Sequence, residues 1–178
     1  AEAVAQEYQI SRQDQDEFSY YSHQKAMHAI QAGFFKEGIL PITVEEVYLN
    51  EKGKRATRQY VVATDEGPRP DTSIEALAKL KPVFAADGSV TAGNSSQTSD
   101  GAAFVVVMSE AMVKALNVEP IGRLVACAVA GVPPRLMGIG PIAAIPKALQ
   151  QAGLQLSDID LIELNEAFAS QSLAVIRQ

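Results

Sequence analysis

The 178-residue sequence has a single cysteine, Cys127, two histidines and no tryptophan. One cysteine forms no internal disulfide and excludes a metal site built from several cysteines. The histidines, His23 and His28, lie in a polar helical segment without the carboxylate spacing of a zinc site, so we expect both at the surface and no bound metal. No stretch approaches the roughly 20 apolar residues of a membrane helix.

Neither acidic nor basic residues dominate the sequence. The net charge is −6, with acidic and basic residues interspersed, which argues against a nucleic-acid partner. Hydrophobic residues make up 47 % of the chain, enough for the core of one domain or two small ones, and this excludes a disordered protein. The chain opens at Ala1 without a methionine and closes inside a predicted helix, so we expect a piece of a longer protein.

The first part of the sequence predicts an α+β region. Helices are expected over residues 1–10, 11–33 and 73–80, the second with a capping box formed by Ser11 and Asp14. Phe18, Tyr21, Met27 and Ile30 approximate its apolar stripe. β-branched residues at 39–49 and 57–64 flank a turn signal at 50–54 and predict a hairpin. Two prolines and a glycine make residues 65–71 irregular.

The second part predicts a parallel α/β arrangement. Residues 91–102 are small and hydroxyl-bearing, so their backbone can approach a ligand closely, although a structural turn explains them equally well. Cys127 lies in an apolar segment without a basic neighbour, and is expected to be a small core residue. A second domain should start near residue 119. We expect strands at 103–108, 123–130 and 155–164, and helices at 109–116 and from Pro141 to Gly153.

Asn165 and Glu166 follow the last predicted strand and precede a helix beginning at Ala167. An asparagine there is a natural N-cap. A neutral amide at the carboxyl end of a strand also lies where α/β sheets build their sites, and it could hold a water or donate to a carbonyl oxygen as negative charge develops. The residues alone leave both interpretations open.

Five motifs, taken together and in this order, resemble thiolases: Ala1-Glu2-Ala3-Val4-Ala5, Ile10 to Asp16, the run from Ala92-Gly93-Asn94-Ser95-Ser96 to Asp100-Gly101-Ala102, Met137-Gly138-Ile139-Gly140-Pro141, and Asn165-Glu166-Ala167-Phe168-Ala169. The resemblance implies an α/β thiolase-like fold seen in part, with an α+β loop domain inserted in the first of two α/β halves. Residues 1–98 would belong to the loop domain that covers coenzyme A, 99–119 to the end of the first half, and 120–178 to the second. The segment 65–72 is more similar to degradative 3-ketoacyl-CoA thiolases than to synthetic ones.

The resemblance implies an acyltransferase that cleaves 3-ketoacyl-CoA with coenzyme A, or runs the reverse Claisen condensation. In this family a cysteine thiolate forms an acyl-enzyme. That cysteine would lie before Ala1. The Gly-His-Pro histidine and the acid/base cysteine would lie beyond Gln178, so these residues alone should be inactive. Coenzyme A would be a substrate, with no permanently bound cofactor. A homodimer or homotetramer in the bacterial-type cytoplasm is expected.

The resemblance also assigns roles to residues of this chain. Asn165 would hold the water of an oxyanion site, and Arg69 would reach the nucleotide end of coenzyme A. The pantetheine arm would bond to Ser96, with Ala92, Ser95 and Phe84 beside it. Met137 and Phe168 would line the acyl and pantetheine cavity, and Ala167 would lie against the substrate.

Other classes stay open. The parent could be a non-catalytic thiolase-like protein that binds acyl-CoA or lipid, which an upstream serine or glycine in place of the nucleophile would favour. The chain could also be a purely structural or interaction domain in which every motif is turn chemistry. A decarboxylating condensing enzyme is disfavoured, because Asn165 to Phe168 stand where such enzymes are expected to carry a histidine.

Overall fold

The computed structural model describes all of residues 1–178. The chain divides into two compact units, one formed by Ala1–Gln15 with Leu80–Gln178 and one by Asp16–Lys79. The α-helices are α1 (Glu2–Glu7), α2 (Arg12–Ala32), α3 (Ile74–Ala78), α4 (Glu110–Leu116), α5 (Gly140–Ala152) and α6 (Ala169–Ile176). Two strands, β1 (Ile42–Leu49) and β2 (Arg55–Val62), and two 3-10 helices, Pro134–Ile139 and Leu156–Asp158, complete the regular structure.

Local sequence signals set most helix ends. The predicted capping box is confirmed, because the Asp14 N–H donates to Ser11 Oγ at 3.0 Å and the Ser11 N–H donates to Asp14 Oδ2 at 3.0 Å. Ser109 caps α4 by accepting from the Met112 N–H at 3.3 Å. Gly153 ends α5 with φ +69°, the left-handed conformation in which glycine carries no steric cost.

The hairpin is confirmed as an antiparallel pair running from Ile42 opposite Val62 to Leu49 opposite Arg55. Its turn is held by the Asn50 side-chain oxygen, which accepts from the backbone N–H groups of Lys52 and Lys54, each at 3.0 Å. The side chain therefore replaces backbone bonds that the turn cannot make.

Ala1–Gln15 and Leu80–Gln178 fold together around α1, α6 and the Pro134–Ile139 helix, which pack against one another. Their apolar core includes Val4, Val90 and Ala174, all essentially without solvent exposure. One ion pair and one hydrogen bond connect the two ends of the chain to this unit. Arg177 pairs with Asp14 at 3.0 Å, and Ser170 Oγ donates to the Ala1 carbonyl oxygen at 3.3 Å.

The predicted parallel strands are not formed. Residues 103–108, 123–130 and 155–164 make no sheet pairing, and the hairpin is the one sheet of the chain. A strand exists only where a neighbouring strand satisfies its N–H and C=O groups, and no β-bridge joins these segments. Most of their large apolar side chains are exposed, from 94 % at Phe104 to 58 % at Ile162, and Met108, Ile159 and Leu164 are half-buried. Only the short helix Leu156–Asp158 interrupts the last of them.

Four single residues differ in detail from what the sequence indicated. Cys127 is exposed rather than part of a core, whereas the flanking Ala126 and Ala128 are half-buried. The N-cap position of α6 is Phe168, so Asn165 is not the cap, and the helix starts at Ala169 rather than Ala167. His23 is half-buried rather than fully at the surface. On α2, Tyr21 of the predicted apolar stripe is 60 % exposed. The buried positions at the start of that helix are polar: Gln15, Asp16 and Ser19.

Candidate functional site

Two of the predicted motifs meet through their backbones. The Ser96 N–H donates to the Ala167 carbonyl oxygen at 2.9 Å, and the Ala169 N–H donates to the Asn94 carbonyl oxygen at 3.0 Å. Between these bonds Ser95 and Phe168 form an isolated antiparallel bridge. The hydroxyl-rich loop and the segment after Asn165 are thus held together as one short ladder.

The loop itself is shaped by Asn94, which is 2 % exposed. Its side-chain oxygen accepts from the Thr91 N–H at 2.8 Å, and its amide nitrogen donates to the Ser89 carbonyl oxygen at 3.1 Å. A buried amide that is satisfied at both ends fixes the backbone around it. Asn94 therefore determines how the following serines are presented.

The two serines differ in what their hydroxyls do. Ser95 Oγ is half-buried and donates to the Thr91 carbonyl oxygen at 2.7 Å, a bond within the loop. Ser96 is exposed, and its Oγ bonds only the neighbouring Gln97 carbonyl oxygen at 3.0 Å. The lone pairs of Ser96 Oγ remain open to an amide N–H of a ligand. Ala92, also exposed, lies in the same loop.

An aromatic pair flanks the ladder. The rings of Phe84 and Phe168 lie 6.1 Å apart at 73°, an edge-to-face contact. Phe84 belongs to a segment paired with the same loop, since the Val83 N–H donates to the Val90 carbonyl oxygen at 3.0 Å. Phe84 is nevertheless 64 % exposed. Its ring offers an apolar surface beside the serines.

Met137 lies in the Pro134–Ile139 helix, which packs against α1 and α6, and its side chain is 77 % exposed. Gly138 permits this close packing. A Cβ at that position would lie 2.7 Å from Gln171 Cγ and 2.9 Å from Gln171 Cβ. Gln171 in turn accepts from the Phe168 N–H through Oε1 at 3.3 Å, which caps α6. The Pro134–Ile139 helix, which bears Met137, is therefore fixed against the start of α6.

Asn165 is exposed, and its side chain forms no hydrogen bond within the chain. It stands two positions before Ala167, whose carbonyl oxygen accepts from Ser96. An exposed amide next to a fixed backbone is available to a water or a ligand.

Arg69 belongs to the unit formed by Asp16–Lys79. Its backbone N–H donates to His23 Nδ1 at 3.1 Å, and its guanidinium Nε lies 3.5 Å from Asp71 Oδ1. The guanidinium is largely exposed and able to meet an anionic ligand. Burial lowers the pKa of His23, and the nearby Arg69 charge lowers it further.

Sequence reasoning missed two residues that organise this site. Asn94 and Glu2 both lie inside motifs that the sequence analysis recognised, but neither was assigned a role. Burial acts to raise the pKa of the Glu2 carboxyl, but hydrogen bonds from Ser89 and Val90 outweigh it and leave the pKa below its ordinary value. An Asx-type turn could have been suspected for Asn94 from its neighbours. No feature of the sequence around α1 indicates which groups donate hydrogen bonds to Glu2.

No group of three or more metal-ligating side chains occurs in the chain, and no helix is long and apolar enough to cross a membrane. The arrangement offers hydroxyl, amide and aromatic groups. Such groups can hydrogen-bond polar atoms of a ligand and contact its apolar parts.

The sequence matches the family model described as "Thiolase, N-terminal domain" over residues 1–111, and the model "Thiolase, C-terminal domain" over residues 118–178. The chain belongs to the thiolase family. It is 52 % identical over 178 residues to the 3-ketoacyl-CoA thiolase of Bacillus subtilis, covering 100 % of this chain and 46 % of that protein. It is 51 % identical over 178 residues to the peroxisomal 3-ketoacyl-CoA thiolase B of Rattus norvegicus, covering 100 % of this chain and 41 % of that protein.

The thiolase fold is confirmed by a solved structure. The crystal structure of the Bacillus anthracis acetyl-CoA acetyltransferase superposes with a TM-score of 0.90 at 45 % identity, covering 99 % of this chain and 42 % of that one. The chain therefore spans less than half the length of these thiolases. The expected thiolase-like fold, seen in part, is correct even though the strands expected in its α/β halves are unpaired here.

Proposed function

We propose that the protein containing this chain is a thiolase that cleaves 3-ketoacyl-CoA with coenzyme A, or runs the reverse condensation. The pairing of the loop 94–96 with residues 167–169 carries the proposal, because it brings the exposed Ser96 hydroxyl beside the segment that bears Asn165. The identity of about half the positions to proteins named 3-ketoacyl-CoA thiolase supports the same reaction.

In this reaction a thiolate attacks the ketone carbon of the substrate, the carbon–carbon bond to the acetyl-CoA part breaks, and the departing carbanion takes a proton from an acid/base group outside these residues. The acyl group then passes from the enzyme to the sulfur of coenzyme A, whose thiol gives its proton back to that group, and the cysteine thiolate is released. Cys127 does not supply that thiolate, since its apolar segment has no basic neighbour to stabilise the charged form. We place the nucleophile outside these residues, and expect the 178 residues alone to be inactive.

The residues of this chain bind and orient the substrate. Ser96 Oγ accepts from an amide N–H of the pantetheine arm, with Ala92 and Ser95 beside it. Phe84, Met137 and Phe168 supply apolar surface around the pantetheine and acyl chains. These six residues and Ala167 form the binding set, and Arg69 meets a phosphate of the nucleotide end.

Asn165 holds a water that donates to the thioester oxygen as charge develops on it. Its exposed side chain, without a partner in the chain, supports that role. Donors fixed before the reaction lower the barrier because they need no reorganisation in the transition state.

Several finer assignments complete the proposal. The degradative direction, in fatty-acid β-oxidation, is favoured over synthesis. A cytoplasmic location of the bacterial type is proposed, although the peroxisomal relatives show that thiolases occur elsewhere. A homodimer or homotetramer is proposed as well, and light scattering coupled to gel filtration measures it directly.

The test is an assay of acetoacetyl-CoA thiolysis with protein expressed from its complete gene. Asn165→Ala should lower kcat by about 100-fold or more, as loss of an oxyanion donor does. Gln97→Ala is the matched control, because it removes an exposed amide side chain from the binding loop. A protein that consumes no 3-ketoacyl-CoA in the presence of coenzyme A, or an N165A variant with unchanged kcat, would refute the proposal.

A further inference from the structure

The Glu2 carboxylate is bonded to a segment far from it in sequence. It accepts the Ser89 N–H through both oxygens at 3.0 Å, the Val90 N–H at 2.9 Å and the Ser89 hydroxyl at 3.1 Å. Val90 is fully buried. A charged acceptor therefore binds two consecutive backbone donors, one of them on a fully buried residue.

The neighbouring residues are shaped around this carboxylate. A Cβ at Gly88 would overlap Glu2 Oε1, so only glycine permits the approach. Gln15 Nε2 donates to Ser89 Oγ at 3.0 Å, which orients the hydroxyl toward Glu2. Residues 88–90 are thus fixed by hydrogen bonds with Glu2 of α1 and Gln15 of α2.

The held segment leads directly into the loop with the exposed serine. The Ser89 carbonyl oxygen accepts from Asn94 Nδ2, and the Val90 carbonyl oxygen accepts from the Val83 N–H beside Phe84. Asn94 precedes Ser95 and Ser96 and bonds the backbone of Ala169. Hydrogen bonds from Ser89 to Glu2 and from Asn94 to Ser89 therefore connect α1 with the loop that continues to Ser96.

We propose that Glu2 is a positioning residue for the acyl-CoA site, fixing residues 88–90 so that the loop 94–96 is preorganised for the pantetheine arm. The proposal rests on the proposed function. Preorganisation lowers the entropy that a ligand must remove on binding. Loss of Glu2 should therefore weaken coenzyme A binding and leave the chemical step nearly unchanged.

The decisive variant is Glu2→Gln, which keeps the size of the side chain but places an amide donor against the Ser89 and Val90 donors. The matched control is Glu7→Gln, an exposed carboxylate on the same helix. In protein from the complete gene, E2Q should raise the KM for coenzyme A about tenfold, since bonds to a charged group are lost. Its kcat should stay within about twofold of the wild type, because no reacting atom is touched.

Ser89→Ala is a milder second variant, which removes one hydroxyl and leaves the carboxylate in place. It should raise the same KM by about threefold. If E2Q does not fold, S89A alone decides the proposal. Unchanged KM in the folded variants, or a fall in kcat with unchanged KM, would overturn it.

Hydrogen exchange separates this proposal from the proposed function, because it needs no activity. In E2Q the amides of residues 88–97 should exchange faster than in the wild type, while those of α5 should not change. Equal protection over 88–97 would overturn the positioning role even in an active enzyme. Absence of thiolysis in the wild type, with the exchange difference present, would instead refute the proposed function alone.

Discussion

The Ser96 backbone N–H donates to the carbonyl oxygen of Ala167 at 2.9 Å, although the two residues come from motifs well separated in sequence. This bond and its neighbour from Ala169 to Asn94 make a ladder of two short segments. The ladder puts the hydroxyl-bearing loop next to the segment of Asn165. The candidate site therefore depends on a few backbone bonds and on the groups that hold them.

Ser96→Ala should weaken coenzyme A binding without destabilising the protein. The hydroxyl is exposed and bonds only the adjacent Gln97 carbonyl oxygen, so we expect a KM increase of about three- to tenfold. Ser99→Ala is the control, because Ser99 is an exposed serine just beyond the loop. Steady-state kinetics with varied coenzyme A measure the difference, and equal KM values for both variants would contradict the role of Ser96.

Asn94→Ala should destabilise the protein by about 2 kcal/mol, because it removes the partners of a buried N–H and of a half-buried carbonyl. These are the Thr91 N–H and the Ser89 carbonyl oxygen. Denaturant or thermal unfolding measures the loss, with Gln97→Ala as a surface control. A variant as stable as the wild type would show that the loop keeps its shape without Asn94.

Gly138→Ala should cost about 1–3 kcal/mol through overpacking. The new Cβ would lie within 3 Å of Gln171, whose Oε1 caps α6. Gly122→Ala is the matched control, since a Cβ there meets nothing within 4 Å. The thermal midpoints of the two variants should differ, with G138A the lower. Equal midpoints would mean that α6 shifts to accommodate the new methyl group without a loss of stability.

Stability should fall as the pH drops below the ordinary histidine pKa of about 6.5. Burial and the Arg69 charge lower the pKa of His23 in the native state, so the unfolded chain binds the proton at a higher pH than the folded one. The stabilising contribution is complete above that ordinary value and is lost between it and the lowered native pKa. Protonation also removes the Nδ1 acceptor of the Arg69 N–H.

His23→Asn tests this dependence, because asparagine keeps an acceptor and does not titrate. Unfolding curves between about pH 5 and 8 should have a smaller pH slope for H23N than for the wild type. Equal slopes would assign the dependence to other groups. Nuclear magnetic resonance titration of His23 measures its pKa directly and should give a value below the ordinary one.

Local signals in the sequence were reliable where a few neighbouring residues decide the structure. The capping box at Ser11 and Asp14, the Ser109 cap, the turn at Asn50 and the left-handed Gly153 are set by bonds within four positions. The five motifs indicated the thiolase family, and the family models match the same chain. The roles of the individual site residues and the domain limits at 98 and 119 stay predictions.

The sequence by itself determined most of the α-helices, the hairpin and the family, because capping, turn chemistry and motif spacing are local. Only the tertiary structure decided that apolar segments such as 103–108 stay unpaired, since a strand needs a neighbour that its own residues do not specify. It also decided that Cys127 is exposed and that Asn165 is not a cap. The hydrogen bonds from Ser89 and Val90 to Glu2 were also decided only by the tertiary structure, because a bond between distant positions forms only once the chain has folded.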